Sequence, residues 1–174
     1  EGPDALCCVD TGFIVYNERT YPNFIKFLAE LGVEGRDSEM SFSFWDDHRQ
    51  FGYAGTSLNG LFAQRKNLFR PAFWRMLLEI RRFGQQASEE VKSDQVPAVT
   101  IGEYLALNRF APEFIEWYIL PMGAAIWSMP AREMLRYPAA NLLRFLANHG
   151  LLSLENRPRW KTVRGGSWTY VQAF

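Results

Sequence analysis

The sequence predicts a helix-rich α+β fold in which several helices accompany a small, mainly antiparallel sheet. Apolar residues recur at helical spacing in several segments, one stretch alternates apolar and polar residues as a strand does, and proline and glycine separate the segments. The length of 174 residues suits one domain, so we expect residues 1–174 to form a single domain.

The charge and composition of the chain exclude several classes of partner. Lys plus Arg and Asp plus Glu number 19 each, so the net charge is zero and we expect no nucleic-acid partner held mainly by charge. Hydrophobic residues reach 48%, enough to bury a core, and aromatic residues reach 16%, which predicts a thick core or an aromatic-walled pocket. The longest apolar stretch, residues 114–130, is short and interrupted by Glu116 and Pro121, so we expect no transmembrane segment.

The first part of the chain predicts a strand region followed by a helix. Residues 6–16 are strand-like apart from a polar break at Asp10-Thr11-Gly12. Residues 20–31 have the apolar spacing of a helix, with Pro22 in its first turn and Gly32 at its end.

A short hairpin is predicted next. Met40, Phe42 and Phe44 alternate with serines, which is the period of two of a half-buried strand. Residues 51–54 can pair with this strand, and residues 45–49 would then form the connection.

Two helices separated by a loop are predicted in the middle of the chain. Pro71 opens a long helix whose apolar face continues to Phe83. Residues 85–98 are polar and contain a proline near their end, which predicts a flexible loop. Thr100 and Glu103 have the spacing of a capping box at the start of the second helix.

The last third of the chain predicts further helices and a strand. Pro112 begins a helix that Pro121 ends or kinks. Tyr137-Pro138 separates two more helical pieces, and the second of these stops at Gly150. Residues 160–171 predict a strand, a glycine turn and a further apolar segment.

Cysteine and histidine predict neither a disulfide framework nor a metal site. Cys7 and Cys8 are adjacent, and neighbouring cysteines cannot form a structural disulfide, which favours a reducing, cytoplasmic location. His48 and His149 lie far apart and outside any ligand spacing, so we expect no metal. The sequence also contains no glycine fingerprint for a dinucleotide and no phosphate-binding loop.

Three segments have more than one interpretation from the residues alone. Asp10-Thr11-Gly12-Phe13 is either an ordinary turn or a corner where the backbone approaches something flat or bulky. Residues 124–130 either line a cavity or pack in the core. Arg164-Gly165-Gly166-Ser167 forms either a hairpin turn or a donor-rich cradle for an anion.

Several short stretches of the sequence, taken in chain order, resemble segments of one protein family. Residues 9–17 (VDTGFIVYN) and 20–23 (TYPN) resemble a part of the flavin-containing amine oxidase superfamily, and especially its bacterial branch of predicted NAD/FAD-binding oxidoreductases. Further stretches resemble that branch in the same order: residues 40–43 (MSFS), 121–128 (PMGAAIWS), 148–152 (NHGLL) and 164–167 (RGGS). The resemblance covers nearly everything from Val9 to Val171.

The resemblance implies a role within a larger FAD-dependent enzyme. The chain is similar to the middle, substrate-domain portion of such enzymes, which lacks the N-terminal glycine fingerprint, so most FAD contacts are expected outside it. The cofactor-binding candidates that the resemblance implies are Asp10, Thr11, Gly12, Phe13, Gly165, Gly166 and Ser167. The candidates for the wall of the substrate pocket are Tyr16, Met40, Phe42, Phe44 and Trp127. No residue matches a catalytic base.

The implied reaction is hydride transfer from an organic substrate to flavin, with a hydrophobic or aromatic small molecule as substrate. We expect the chain alone to be inactive and to self-associate through apolar surface that the flavin domain would cover. The alternative is a non-enzymatic helical module that binds a hydrophobic ligand or a partner helix through its Phe and Trp side chains. A glycine fingerprint encoded upstream of residue 1 would favour the enzyme.

Overall fold

The structure is a computed structural model that describes residue 10, residues 15–153 and residues 158–174. The chain divides into two compact units. The first, here the terminal unit, comprises Glu1–Met40 and Pro158–Phe174, and the second, here the central unit, comprises Ser41–Arg157. The expectation of a single domain over residues 1–174 stays a prediction.

The terminal unit is a small antiparallel sheet with short helices. Its described elements are β1 (Tyr16–Asn17), α1 (Pro22–Glu30), β2 (Gly35–Ser38), β5 (Trp160–Val163) and α9 (Trp168–Ala173). The strand order is β1-β5-β2, so β5 lies between two strands from the other end of the sequence. Lys161 is opposite Tyr16 on one side and Asp37 on the other. The predicted helix over residues 20–31 is confirmed in α1, which Gly32 follows with a φ of +66°.

The central unit begins with a hairpin and continues as a set of helices. Its described elements are β3 (Ser43–Asp46), β4 (Phe51–Ala54), α2 (Leu58–Leu61), a 3₁₀ helix (Arg65–Phe69), α3 (Pro71–Lys92), α4 (Ile101–Leu107), α5 (Pro112–Phe114), a π-helical turn (Ile115–Ile119), α6 (Leu120–Trp127), α7 (Ala131–Met134) and α8 (Ala139–Asn148). Strands β3 and β4 pair antiparallel, as predicted, with Phe44 opposite Tyr53. The helix-rich α+β fold class is therefore confirmed.

Helix α3 is longer than the sequence predicted. It continues to Lys92, so the prediction of a flexible loop over residues 85–98 is wrong for most of its length. Ala87 is buried and Val91 packs against the main core cluster, so the apolar face extends beyond Phe83 at helical spacing. The polar residues that suggested a loop cover the other faces of the same helix.

Helices α5 and α6 are continuous through the π-helical turn, so Pro121 does not end the helix. In an α-helix the Trp117 carbonyl would accept from the N–H of residue 121, but proline has none. The hydroxyl of Tyr53 donates to that carbonyl instead, at 2.8 Å. Tyr53 is buried, and its burial raises the pKa of its hydroxyl, so it stays a neutral donor.

Two hydrophobic clusters form the core of the central unit. The larger joins the helices α3 to α8 and includes Phe83, Tyr104, Phe114, Met134, Leu142 and Leu146. The smaller joins the β3–β4 hairpin to the start of α3 and consists of Phe51, Tyr53, Phe73, Met76 and Trp117. Among the described residues, none of the helices combines the length and the apolar character needed to cross a membrane.

Candidate functional site

The structure brings together two segments that the resemblance assigned to the flavin. The carboxylate of Asp10 accepts from the backbone N–H of Ser167, with both oxygens 3.0 Å from the nitrogen. These residues are 157 positions apart in the chain. The contact lies within the terminal unit, so the fold of this unit alone places Asp10 beside Ser167.

The glycine turn after β5 explains how Ser167 reaches Asp10. Gly165 and Gly166 have φ values of +83° and +88°, which side chains other than that of glycine rarely adopt. The turn is closed by the N–H of Gly166, which donates to the Val163 carbonyl at 3.1 Å. A β-carbon on Gly166 would lie 3.4 Å from the nearer Asp10 oxygen, so the carboxylate packs closely on the bare glycine backbone.

One polar atom in this junction has no partner among the described residues. The hydroxyl oxygen of Ser167 is buried and makes no hydrogen bond to any of them. A buried hydroxyl without a partner costs free energy, so such an atom needs an explanation. Of the other cofactor-binding candidates, Thr11, Gly12 and Phe13 lie outside the described residues. The assignment of these residues to the flavin stays a prediction.

Two of the predicted pocket residues lie in the terminal unit and differ in exposure. Tyr16 is 2% exposed and packs edge-on against Phe24, with ring centroids 5.1 Å apart. Its burial raises the pKa of its hydroxyl, with a smaller contribution from Glu18. Met40 is exposed at the end of the unit's N-terminal segment. Tyr16 is thus a core residue of this unit, and its place in a substrate wall stays a prediction.

The remaining pocket candidates lie in two parts of the central unit. Phe42 and Phe44 both contact Tyr53, with ring centroids 6.4 and 6.0 Å apart. Trp127 packs instead on Tyr137 and Phe145, at 5.1 and 4.8 Å. The structure therefore brings Phe42 and Phe44 to one aromatic cluster and places Trp127 in another.

The sequence did not predict a groove that lies along α3 in the central unit, with a volume of about 510 Å³. One wall is a polar stripe of α3, formed by Arg81, Gln85, Ser88 and Lys92 at the helical spacing i, i+4, i+7 and i+11. The spacing of these four residues was the available signal, but only Arg81 fell within the predicted helix, and the other three fell in the segment predicted as a loop.

The opposite wall of the groove is mainly apolar. It includes Tyr118 from the π-helical turn, Met122 from α6, Leu146 from α8 and the segment Leu151–Ser153. The segment is held close to α3 because Gly84 has no side chain: a β-carbon there would overlap the carbonyl oxygen of Leu152. The N–H of Leu151 also donates to the Leu146 carbonyl at 2.8 Å.

The charged groups that line the groove make no ion pairs with described residues. Within the part of the chain that the structure describes, Arg81, Glu89 and Lys92 form none. The neighbouring Arg82 differs, because it pairs with Glu79 and lies over the Phe110 ring, 4.0 Å from the centroid. Arg81 is therefore a cation whose charge no described side chain neutralises.

No protein-family model matches the chain, and no curated protein matches it. Within the described residues, no group of three or more His, Cys, Asp or Glu side chains could hold a metal ion. The family resemblance therefore rests on the ordered motifs of the sequence.

Proposed function

We propose that this chain forms the substrate-domain portion of an FAD-dependent oxidoreductase of the amine oxidase type, acting on a hydrophobic or aromatic small molecule. The observation that carries the proposal is the contact between Asp10 and Ser167. The two motifs were assigned to the flavin separately, from opposite ends of the sequence. A cofactor bound by both motifs would explain why Asp10 and Ser167 are in contact.

The residues of this junction fit the edge of a flat, polar ligand. The Gly165-Gly166 turn has no side chains, so the Asp10 carboxylate can pack closely on its backbone and lie beside Ser167. The buried hydroxyl of Ser167 has no partner among the described residues and can supply a hydrogen bond to such a ligand, which would remove the cost of leaving it unpaired. Asp10 holds the Ser167 amide and so restrains the backbone from which that hydroxyl extends.

Flavin, when bound, supplies the electron acceptor for hydride transfer from a substrate C–H bond. The contribution of this chain is to bind, orient and exclude water. Phe42 and Phe44 share one aromatic cluster and offer apolar rings that can position a hydrophobic substrate, whereas Trp127, in another cluster, is a candidate from the resemblance alone. A dry site strengthens the electrostatic interactions within it. We assign no residue of the chain as a proton acceptor.

Ser167→Ala in the full-length protein tests the proposal. We expect FAD affinity to fall about fivefold, because the lost group is one neutral hydrogen bond. The stability of the flavin-free protein should stay the same or rise, because the substitution removes a buried hydroxyl without a partner among the described residues. Flavin titration and thermal unfolding measure the two effects, and unchanged FAD affinity would remove Ser167 from the cofactor site.

Gly166→Ala with Gly32→Ala as a control separates backbone strain from flavin contact. Both glycines have positive φ and both belong to the terminal unit, so alanine strains the backbone by about 1–2 kcal/mol at each. A β-carbon meets the Asp10 carboxylate only at position 166, since no described atom lies within 4 Å at position 32. We expect Gly166→Ala alone to lose bound flavin; equal flavin content in the two variants would contradict the proposal.

A further inference from the structure

We propose that the groove along α3 binds an amphiphilic organic anion, with an acyl-chain carboxylate as the ligand class. The carboxylate would pair with Arg81, and the alkyl chain would lie against Met122, Leu146 and Leu151. The site lies entirely within the central unit and needs no flavin, so this proposal can be tested independently of the proposed function.

The size and walls of the groove suit such a ligand. A volume of about 510 Å³ is within the range of small-molecule sites, which is about 300–1,000 Å³. One wall is polar and the facing wall is mainly apolar, so a ligand with a polar head and an apolar body can satisfy both. A purely apolar ligand would desolvate the α3 stripe without giving its polar groups a partner.

The distribution of charge selects an anion and places its head at one end. Arg81 and Lys92 are separated by about 16 Å along the helix, so they lie towards opposite ends of the groove. Glu89 is within one turn of Lys92 but two turns from Arg81. Among the described lining residues, the Lys92 end is therefore close to neutral, whereas the Arg81 end has the uncharged Gln85 as its neighbour one turn along the stripe and has a net positive charge.

The position of the π-helical turn is a further observation in favour of a binding site. This turn, Ile115–Ile119, contributes Tyr118 to the groove, and Met122 follows in the next turn of the helix. π-Helical turns are rare and occur frequently at functional sites. Here the turn lies beside the apolar wall that the alkyl chain would contact.

The probe is dodecanoate, used below its micelle-forming concentration. Its binding to the full-length protein is measured by calorimetry, both with and without FAD. We expect saturable binding of dodecanoate in both preparations and at least tenfold weaker binding of 1-dodecanol. The matched variants are Arg81→Gln and Arg132→Gln, because both arginines are exposed and neither forms an ion pair among the described residues. Of the two, Arg81 lines the groove and Arg132 does not.

We expect Arg81→Gln to weaken dodecanoate binding about tenfold, as the loss of a charge-assisted hydrogen bond predicts, and Arg132→Gln to leave it unchanged. Ser88→Phe places a ring on the polar stripe and should abolish binding by filling the groove. Three results would overturn the proposal: equal affinity for dodecanoate and 1-dodecanol, equal effects of the two arginine variants, or no binding of dodecanoate. Flavin binding that survives any of these results leaves the proposed function intact.

Discussion

The Tyr53 hydroxyl has a structural role that the sequence does not reveal. It donates to the Trp117 carbonyl, whose usual α-helical donor is absent because Pro121 has no N–H. We expect Tyr53→Phe to lower the free energy of unfolding by about 1–3 kcal/mol, the cost of leaving a buried acceptor unpaired. In a Pro121→Ala background the penalty should be smaller, since alanine at that position restores the N–H. Denaturant unfolding of the four proteins gives the coupling, and additive effects would contradict this account.

Replacing Gly84 with alanine would change the stability of the protein in two opposite directions. Alanine is favoured over glycine within a helix by about 1 kcal/mol, but here its β-carbon would overlap the Leu152 carbonyl. The clash involves backbone on both sides, and overpacking of this kind costs about 1–3 kcal/mol, so we expect Gly84→Ala to be net destabilising. The adjacent, exposed Gln85→Ala is the control and should change stability little. A rise in the melting temperature of Gly84→Ala would contradict this expectation, because it would show that residues 151–153 move away from the new β-carbon at little cost.

At the scale of elements, the start of α4 is fixed by a confirmed capping box. The Thr100 hydroxyl accepts from the Glu103 N–H, and the Glu103 carboxylate accepts from the Thr100 N–H and hydroxyl. These donors lower the pKa of Glu103 from its ordinary value of 4.5. Its contribution to stability is therefore present above that value and is lost as the pH falls through the lowered pKa.

Thr100→Ala tests this cap. We expect a loss of about 1 kcal/mol at pH 7, whereas Thr100→Ser should retain most of the stability. The difference between Thr100→Ala and the wild-type protein should shrink as the pH falls below the ordinary carboxylate range, because protonated Glu103 no longer accepts from the hydroxyl. Urea midpoints across pH measure this, and a penalty independent of pH would contradict the role of Glu103.

Helices with local signals could be predicted from the sequence. Residues 20–31 carry proline in the first turn and glycine at the end, and α1 forms there. The far half of α3 was missed because its polar stripe faces a groove, and polarity alone does not distinguish such a stripe from a loop. Pro121 predicted an end or a kink at this point of the helix, but neither the π-helical turn before it nor the contact with Tyr53 from a distant hairpin has a local signal.

At the scale of the whole molecule, the candidate sites differ in how far the sequence could predict them. The pairing of Asp10 with Ser167 joins two segments whose side chains are ordinary for turns, so residue physics alone left both interpretations open. Only the family resemblance implies that both segments lie near the flavin. The groove along α3 depends on tertiary packing: the sequence contains the spacing of its polar stripe, but the facing wall comes from the π-helical turn, α6, α8 and residues 151–153.

The visible absorption spectrum of the purified full-length protein, recorded after incubation with excess FAD and removal of the unbound cofactor, tests the central claim most directly. The account predicts bound flavin in the wild-type protein and in Gly32→Ala, and its loss in Gly166→Ala, with all three proteins folded by circular dichroism. A wild-type spectrum without flavin after reconstitution would contradict it and favour a non-enzymatic ligand-binding module.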